Sequence, residues 1–237
     1  MYLNEKILAI IPARKNSKGL PGKNVKNFLG SPLFKHSIDQ ARKSKLIDEI
    51  LVTSDCEEII SLATSEGVKC VKRPNNLASD TAHTPDAIVH AMTTLKQKSG
   101  FDYNLIVMLQ PTSPLRSTID IDKSIMMLKD KNRKAVVSVC ESDFNLNYVN
   151  TLPENLNMGE FLKVNGNASN RQYYKNYYQL NGAVYVAWFD YFLKNGGFYG
   201  PDTFAYVMPK ERSVDIDTAY DFKLAEFFAR EAIGEME

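Results

Sequence analysis

Short apolar runs alternate with amphipathic stretches along the first 140 residues of the chain. The apolar runs are rich in β-branched residues, which is typical of buried strands, and they lie at 6–11, 49–53, 68–72, 104–109 and 135–140. The stretches between them open with helix-start signals and predict helices at about 31–44, 55–67, 84–97 and 118–130. This alternation predicts an α/β fold with a mostly parallel sheet flanked by helices. Ligands of such sheets bind beyond the carboxyl ends of the strands.

The alternation stops between residues 141 and 181, where Asn and Tyr are frequent and the apolar periodicity is weak. A long segment without a clear pattern is usually functional in a compact domain. We interpret 141–181 as an inserted arm and a candidate dimerisation element. Regular signals return with apolar runs at 182–187 and 204–208 and with a closing helix at about 218–232. We therefore treat 1–237 as a single domain.

Composition narrows the classes of protein that fit. A chain of 237 residues with 44% hydrophobic and 24% charged residues is ordinary for a globular domain and excludes a disordered or fibrous chain. The net charge of +1 argues against a nucleic-acid partner, and the apolar runs are too short to cross a membrane. The three cysteines are widely spaced and no signal-peptide pattern opens the chain, so we expect a cytoplasmic protein.

Charge is distributed unevenly along the chain. Residues 1–50 carry a net charge of +6, and residues 211–237 carry −5. The basic excess is concentrated in RKNSKGLPGKNVK at 14–26, which holds five cations and no acid. Gly19 and Gly22 permit close approach of the backbone, so this loop after the first strand suits a polyphosphate, although a solvated basic loop would have the same composition. The loop matches neither a Walker A motif nor G-x-G-x-x-G.

Two carboxylates near the other end of the chain are candidate metal ligands. Asp215 and Asp217 stand two residues apart in SVDIDTAYD, and in an extended segment such residues point to the same side. Paired carboxylates hold hard cations such as Mg²⁺. The same residues could also have no catalytic function, if Asp217 caps the following helix and Asp215 is a solvated loop residue. Together with the cationic loop, the pair indicates phosphoryl or nucleotidyl transfer.

Five ordered stretches carry a resemblance to one enzyme family. They are IPARKNSKGLPGKN at 11–24, KRPNNLASDT at 72–81, LQPTSPLR at 109–116, RQ and NGAVY within 171–185, and SVDIDT at 213–218. Their order and spacing resemble the acylneuraminate cytidylyltransferases, also called CMP-sialic acid synthetases. The set spans almost the whole chain and is far more specific than any single stretch.

The resemblance implies a reaction, a fold and an assembly. In that family the anomeric hydroxyl of a nonulosonic acid, a nine-carbon acidic sugar, attacks the α-phosphate of CTP with the help of Mg²⁺. CMP-sugar and pyrophosphate are the products. The implied fold is a Rossmann-like nucleotidyltransferase fold. The implied assembly is a homodimer whose arm reaches the partner's active site, which matches the segment 141–181.

Matching motif positions also implies roles for single residues. Arg14 and Lys23 would hold the triphosphate and stabilise charge on the departing pyrophosphate, and with Asp217 they form the expected catalytic set. Asp215 and Asp217 would bind Mg²⁺. Further nucleotide contacts would come from Asn24, Arg73 at the cytosine base, Ala82 and Thr84. The sugar pocket would be lined by Gln110, Arg171, Asn181 and Tyr185, with Arg171 facing the sugar carboxylate.

The sequence departs from the family pattern at two places. Members that use sialic acid often carry a basic residue shortly after the strand at 135–140, whereas 141–162 hold no Lys or Arg and Tyr148 stands about there. The sugar carboxylate would then depend on Arg171 or Lys163. A Tyr-rich pocket would suit a relative of sialic acid such as legionaminate or pseudaminate. His83 stands where the family often has a serine. It could be a solvated loop residue or a group with a titrating role, and both interpretations stay open.

Three alternatives to this assignment stay open. The 3-deoxy-manno-octulosonate cytidylyltransferases have a similar first loop, which typically reads STRLPGK, whereas this chain has SKGLPGK at 17–23. Another sugar nucleotidyltransferase of this fold would use a different base. A non-catalytic nucleotide-binding regulator would keep the fold, but it would have no use for the paired carboxylates.

Overall fold

A seven-stranded sheet organises the part of the chain that the computed structural model describes, which comprises residues 5–100, 102–144, 149–161 and 176–234. A small two-stranded ribbon, formed by β2 (Asn27–Phe28) and β3 (Ser31–Pro32), lies beside it. The strands of the large sheet are β1 (Ile7–Pro12), β4 (Glu49–Ser54), β5 (Lys69–Lys72), β6 (Leu105–Met108), β7 (Ala135–Glu141), β8 (Tyr178–Trp188) and β9 (Thr203–Met208).

The strand order is β5-β4-β1-β6-β8-β7-β9. The first four strands in that order are parallel to one another, as β9 is to β7, whereas β8 runs antiparallel to β6 and β7. The predicted mostly parallel sheet is therefore confirmed. Because β8 is reversed, its amino-terminal half lies at the edge where the parallel strands have their carboxyl ends.

Helices cover both faces of the sheet. They are α1 (Leu33–Lys43), α2 (Glu57–Ser65), α3 (Thr84–Ser99), α4 (Thr118–Met126), α5 (Phe189–Asn195) and α6 (Ala219–Ile233). Alternate side chains of β1 divide between two cores, with Ile7, Ala9 and Ile11 packed among α1, α2 and α4, and Leu8 and Ile10 packed among α3 and α5. Among the residues that the structure describes, no helix has the length and apolar character that a membrane span requires.

Helix starts differ from the sequence signals in detail. Ser31 and Pro32 pair with β2 in the ribbon, so Pro32 precedes α1 instead of opening it. Asp55 does not cap α2, because its Oδ1 accepts a hydrogen bond of 2.8 Å from the backbone N–H of Lys15 in the cationic loop. In both cases a contact with a distant segment prevails over a local preference.

The segment 141–181 contributes its last residues to the sheet. Strand β8 begins at Tyr178, whereas the apolar run predicted a start at Gly182. The pattern did not include the first residues of the strand, because Tyr178 and Leu180 are exposed and lie outside the buried run. Residues 151–160 are exposed throughout and include Leu152, Leu156 and Met158. The dimerisation role of the arm stays a prediction.

Candidate active site

A cavity of about 440 Å³ opens at the edge where β1, β5 and β6 have their carboxyl ends. Five separate segments line it: the loop after β1, the residue after β5, the start of α3, the loop after β6 and the segment before α6. The position agrees with the expectation for a parallel sheet. The predicted site residues that line the cavity are Arg14, Lys23, Asn24, Arg73, Thr84, Gln110, Asp215 and Asp217.

The cationic loop touches the acidic segment at Gly19. A Cβ atom added at Gly19 would lie 2.3 Å from the backbone oxygen of Asp217, which is too close for any residue that has a Cβ. Gly22 has a φ of 66° and begins the short 3-10 turn Lys23–Val25. The two glycines therefore bend the loop back onto the segment that carries the paired carboxylates.

Lys23 connects the same two segments through its side chain. It is only 8% exposed, and its Nζ donates to the backbone oxygen of Ile216 at 2.6 Å and to Oδ1 of Asp217 at 2.9 Å. The cation that the sequence analysis assigned to a triphosphate thus lies at the junction of the cationic loop with the carboxylates.

The acidic segment places both carboxylates at the cavity. Ile216, between them, is fully buried in a small core under α6, so the two flanking side chains point away from that core. Thr218 caps α6 and forms a reciprocal capping box with Asp221. Asp217 is therefore not needed as the helix cap, and its side chain is 73% exposed.

Asp215 suits a positively charged ligand. Burial raises its pKa, against a hydrogen bond from Thr112 that lowers it, and the neighbouring carboxylate of Asp217 raises it further. Its Oδ1 is buried and has no hydrogen-bond partner among the described residues. A cation between the two carboxylates would compensate the burial of the Asp215 charge and would reduce the repulsion between Asp215 and Asp217.

The donor set also fits Mg²⁺. This ion is commonly held by one or two carboxylates, with water and phosphate oxygens completing its coordination. The described segments contain no group of three or more His, Cys, Asp or Glu side chains arranged around a metal position. The two carboxylates at this cavity match the smaller number that Mg²⁺ uses.

Arg14 has an acidic partner that the sequence analysis did not single out. Its Nη1 donates to Oδ1 of Asp80 at 3.0 Å and to the backbone oxygen of Ser79 at 3.3 Å, and Nζ of Lys18 lies 3.5 Å from Oδ2 of Asp80. Asp80 is outside the cavity lining, whereas both cations line it. Asp80 stands in the stretch KRPNNLASDT, which was the available signal.

Arg73 and Asn24 present polar atoms that are available to a ligand. Arg73 is 6% exposed, its Nη2 donates to the backbone oxygen of Thr53 at 3.0 Å, and its Nε has no partner in the described part of the chain. Burial lowers its pKa; Asp55 raises it and Arg14 lowers it. Asn24 donates to the backbone oxygen of Arg14 at 2.7 Å, and its Oδ1 is buried without a described partner.

Some predicted residues lie outside the cavity lining. Asn181 is buried, its Oδ1 accepts from Ser138 Oγ at 2.6 Å, and its Nδ2 donates to Ser213 Oγ at 2.9 Å. Tyr185 is buried, and burial raises its pKa. Ala82 is half-buried, and Arg171 lies outside the described residues. The roles assigned to these residues stay predictions.

Gly182 brings Gln110 and Asp215 together at the start of the buried part of β8. Its φ is +69°, and an added Cβ would lie 2.7 Å from Gln110 Oε1 and 3.0 Å from Asp215 Oδ2. Behind them, the fully buried Arg116 donates to the backbone oxygens of Gln110 and Ala183. Arg116 was quoted only as part of LQPTSPLR, and a charged residue in a loop just before a helix gives no sign that it is buried.

Comparison with known proteins places the chain in a family. The profile of the cytidylyltransferase family matches residues 8–228. An N-acylneuraminate cytidylyltransferase of Escherichia coli is 34% identical over 224 residues, which is 94% of this chain and 52% of that protein. A CMP-N,N'-diacetyllegionaminic acid synthase of Legionella pneumophila is 32% identical over 93% of this chain and 95% of that protein. A pseudaminic acid cytidylyltransferase of Campylobacter jejuni is 30% identical over 93% of this chain and 94% of that protein.

The chain thus spans about half the length of the Escherichia coli relative and nearly all of the other two. A solved structure of a CMP-2-keto-3-deoxy-manno-octonic acid synthetase complexed with CTP superposes with a TM-score of 0.69 at 16% identity, covering 96% of this chain and 99% of that one. A 4-diphosphocytidyl-2C-methyl-D-erythritol synthase of Anaerococcus prevotii superposes with a TM-score of 0.62 at 15% identity, covering 95% and 99%. At these identities the likeness describes the fold. The profile match and the relatives show that this chain belongs to the cytidylyltransferase family of nucleotidyltransferases, in the group of the acylneuraminate cytidylyltransferases that its motifs resemble.

Proposed function

We propose that the protein transfers CMP from CTP to a nonulosonic acid and releases pyrophosphate. The observation that carries this proposal is the cavity at the sheet edge, where cations from the loop after β1 meet the carboxylates before α6. Relatives named for sialic, legionaminic and pseudaminic acids support the substrate class. The sugar hydroxyl oxygen forms a bond to the α-phosphorus and releases its proton to water, while the bond from that phosphorus to the oxygen shared with the β-phosphate breaks and pyrophosphate leaves.

In this reaction the chain's own cations stabilise the phosphates. Arg14 and Lys23 hold the triphosphate, and they oppose the charge that develops on the departing pyrophosphate. Lys23 is preorganised for this role, because its Nζ is already fixed by the backbone oxygen of Ile216 and by Asp217. Arg73 and Asn24 supply hydrogen-bonding atoms that lack described partners, and we assign them to the nucleoside.

We assign the carboxylates of Asp215 and Asp217 to Mg²⁺. Oδ1 of Asp215, which has no partner among the residues that the structure describes, and the exposed side chain of Asp217 supply its oxygen ligands. When bound, Mg²⁺ would offset charge on the transferring phosphate and the leaving group.

We further propose that the protein is a homodimer. An apolar row crosses three strands, because Val139 on β7 pairs with Leu180 on β8 and with Val207 on β9. Leu180 is 55% exposed and Val207 is 53% exposed. Residues directly opposite in a sheet share one face, so the row forms an apolar strip beside the predicted arm.

The cysteines Cys56, Cys70 and Cys140 are free, which supports our placement of the enzyme in the reducing cytoplasm.

Pyrophosphate release tests the proposal. Purified protein is mixed with Mg²⁺, one nucleoside triphosphate and one acid from N-acetylneuraminate, legionaminate, pseudaminate and 3-deoxy-manno-octulosonate. We expect release with CTP and at least one nonulosonic acid, and none with ATP, GTP or UTP. Release with the octulosonate alone would assign the enzyme to that neighbouring class. Binding of CTP without release from any sugar would indicate a regulator instead.

Substitutions at the cavity connect the activity to this site. We expect Arg14→Ala and Asp217→Ala each to lower turnover by about 100-fold to 1,000-fold, because each removes a preorganised charge next to the reacting phosphates. Lys43→Ala and Asp102→Ala are matched controls, since both residues lie outside the cationic loop and outside the cavity lining. Circular dichroism and thermal unfolding verify that all four variants fold. Turnover near the wild-type value in Arg14→Ala or Asp217→Ala would contradict the assignment.

A further inference from the structure

Asp80, in the segment between β5 and α3, holds the side chain of Arg14 from outside the cavity. Nη1 of Arg14 donates to Oδ1 of Asp80 at 3.0 Å and to the backbone oxygen of Ser79 at 3.3 Å. Nζ of Lys18 lies 3.5 Å from the other carboxylate oxygen of Asp80. Both cations line the cavity, whereas Ser79 and Asp80 do not. The two acceptors therefore do not occupy the space in which a ligand would lie.

These contacts leave most donors of Arg14 available. A guanidinium carries five N–H groups on three nitrogens, and the bonds that Arg14 donates to residues described by the structure all come from Nη1. Arginine pairs with a phosphate through two donors in a fixed fork. With Nη1 held by the segment after β5, Nε and Nη2 of Arg14 form the edge that remains for a phosphate.

The segment that carries Asp80 is itself ordered by short-range bonds. The backbone oxygen of Ser79 also accepts from the N–H of Ala82 at 3.2 Å, which closes a turn over 79–82. Within this turn, Ser79 Oγ lies 3.3 Å from Thr81 Oγ1. Thr84 follows, opens α3 and lines the cavity. Asp80 thus connects the loop after β1 to an ordered turn at the start of α3.

We propose that Asp80 is a positioning residue for the triphosphate site, its carboxylate fixing the guanidinium of Arg14 so that the free edge meets the phosphates of CTP. This inference rests on the proposed function, which assigns Arg14 to the triphosphate. An arginine that is not held loses its side-chain freedom only when the ligand binds, and this loss lowers the affinity. If Asp80 were merely a nearby negative charge, its removal would instead strengthen the attraction for a polyphosphate.

The chain offers a variant and a matched control. Asp80→Ala removes the carboxylate, and it should fold, because an exposed ion pair contributes little to stability. Asp86→Ala removes another exposed acid, which lies in the first turn of α3 and outside the cavity lining. The two variants change the net charge equally, but only Asp80 has a bond to Arg14 among the described residues.

The experiment compares CTP with cytidine, which lacks the phosphates. Isothermal titration calorimetry in the presence of Mg²⁺ measures both affinities, and pyrophosphate release measures turnover. We expect Asp80→Ala to weaken CTP binding by about 3-fold to 10-fold and to leave cytidine binding unchanged. Its kcat should fall by about 10-fold to 100-fold, because a displaced guanidinium no longer meets the charge on the departing pyrophosphate. Asp86→Ala should behave as the wild type.

A double variant tests whether Asp80 acts through Arg14. Once Arg14 is absent, the carboxylate has no guanidinium left to position. We therefore expect Asp80→Ala to lower kcat by less than about twofold when it is added to Arg14→Ala, although it lowers kcat much more in the wild type. Equal losses in the two backgrounds would show that Asp80 acts independently of Arg14 and would overturn the inference.

Arg14→Ala by itself separates the possible failures. If this variant weakens CTP binding, but Asp80→Ala binds CTP as tightly as the wild type or more tightly, the inference is overturned and the assignment of Arg14 stands. An equal loss of CTP and cytidine binding in Asp80→Ala would likewise show a merely structural role. If the wild type binds no CTP, or Arg14→Ala binds it as the wild type does, the assignment of Arg14 fails and takes the inference with it. Should thermal unfolding show that alanine disturbs the turn, Asp80→Asn removes the charge and keeps the shape, and the same outcomes apply.

Discussion

At the scale of single residues, Gly19 is the point where the cationic loop and the acidic segment are closest. Its φ is not in the left-handed region, so its requirement for glycine is a matter of space and not of backbone conformation. The oxygen that a side chain would meet belongs to the backbone of Asp217, which cannot rotate away as the end of a flexible side chain would. A methyl group here must therefore displace either the loop or a proposed metal ligand.

We expect Gly19→Ala to lower turnover by about 100-fold, because a displacement of about 1 Å at reacting groups has an effect of that size. Gly100→Ala is the control. That residue has a φ of 69° with no atom within 4 Å, so alanine there is strained and should lower stability by about 1 kcal/mol without changing turnover. Steady-state turnover and urea unfolding measure the two effects. Wild-type turnover in Gly19→Ala would contradict the contact.

At the scale of elements, the start of α4 anchors the segment that carries the carboxylates. Ser117 and Asp120 form a capping box at this helix end. The fully buried Asp120 also accepts two hydrogen bonds from Arg212, at 2.9 and 2.8 Å, and one from the Tyr206 hydroxyl at 3.1 Å. Because Arg212 precedes Ser213, this network joins α4 and β9 to the chain that leads to Asp215.

We expect Asp120→Asn to lower the free energy of unfolding by about 2 to 3 kcal/mol at pH 7, since it weakens charged hydrogen bonds in a buried network. Burial by itself raises the pKa of Asp120, but the bonds from Arg212 and Ser117 outweigh it, and the net pKa is lowered. A carboxylate with a lowered pKa stabilises the fold above its unfolded pKa, and this contribution disappears as the pH falls through the folded value.

The stability difference between the wild type and Asp120→Asn should therefore shrink as the pH falls below about 4. Urea unfolding at a series of pH values measures it. Asp130→Asn is the control, because its ion pair with Arg133 lies near the surface and should contribute less than about 1 kcal/mol. A difference that grows towards low pH would show that Asp120 is not the stabilising carboxylate.

At the scale of the whole molecule, the apolar row of Val139, Leu180 and Val207 gives the proposed dimer a location. We expect the wild type to be a dimer by size-exclusion chromatography with light scattering, and Leu180→Glu to be a monomer, since a charge in an apolar interface is costly to desolvate. Leu193→Glu, at a similarly exposed leucine on α5, should stay a dimer. A monomeric wild type would contradict the homodimer. A Leu180→Glu variant that is still a dimer would show that the dimer interface lies elsewhere on the molecule.

Much of the fold could be predicted, because burial leaves a local pattern. The runs that became β1, β4, β6 and β7 are mostly apolar and largely buried, and their bounds agree closely with the predicted ones. The first four residues of β8, at 178–181, were not predicted, because the exposed side chains of Tyr178 and Leu180 do not continue the buried apolar run. The motifs pointed to most residues that line the cavity. Asp80, Thr112 and Arg116 received no role, because their importance lies in contacts with distant segments.

The sequence by itself determined the strand and helix alternation, the cationic loop and the acid pair, since each depends on neighbouring residues and on a short period. Only the tertiary structure decided that β8 runs antiparallel between β6 and β7, that Lys23 is buried against Asp217, and that Oδ1 of Asp215 is buried without a partner among the described residues. The physical reason is that these features depend on the path of the chain between distant segments. Burial and hydrogen bonding at the cavity come into existence only when the loop after β1, the loop after β6 and the segment before α6 meet.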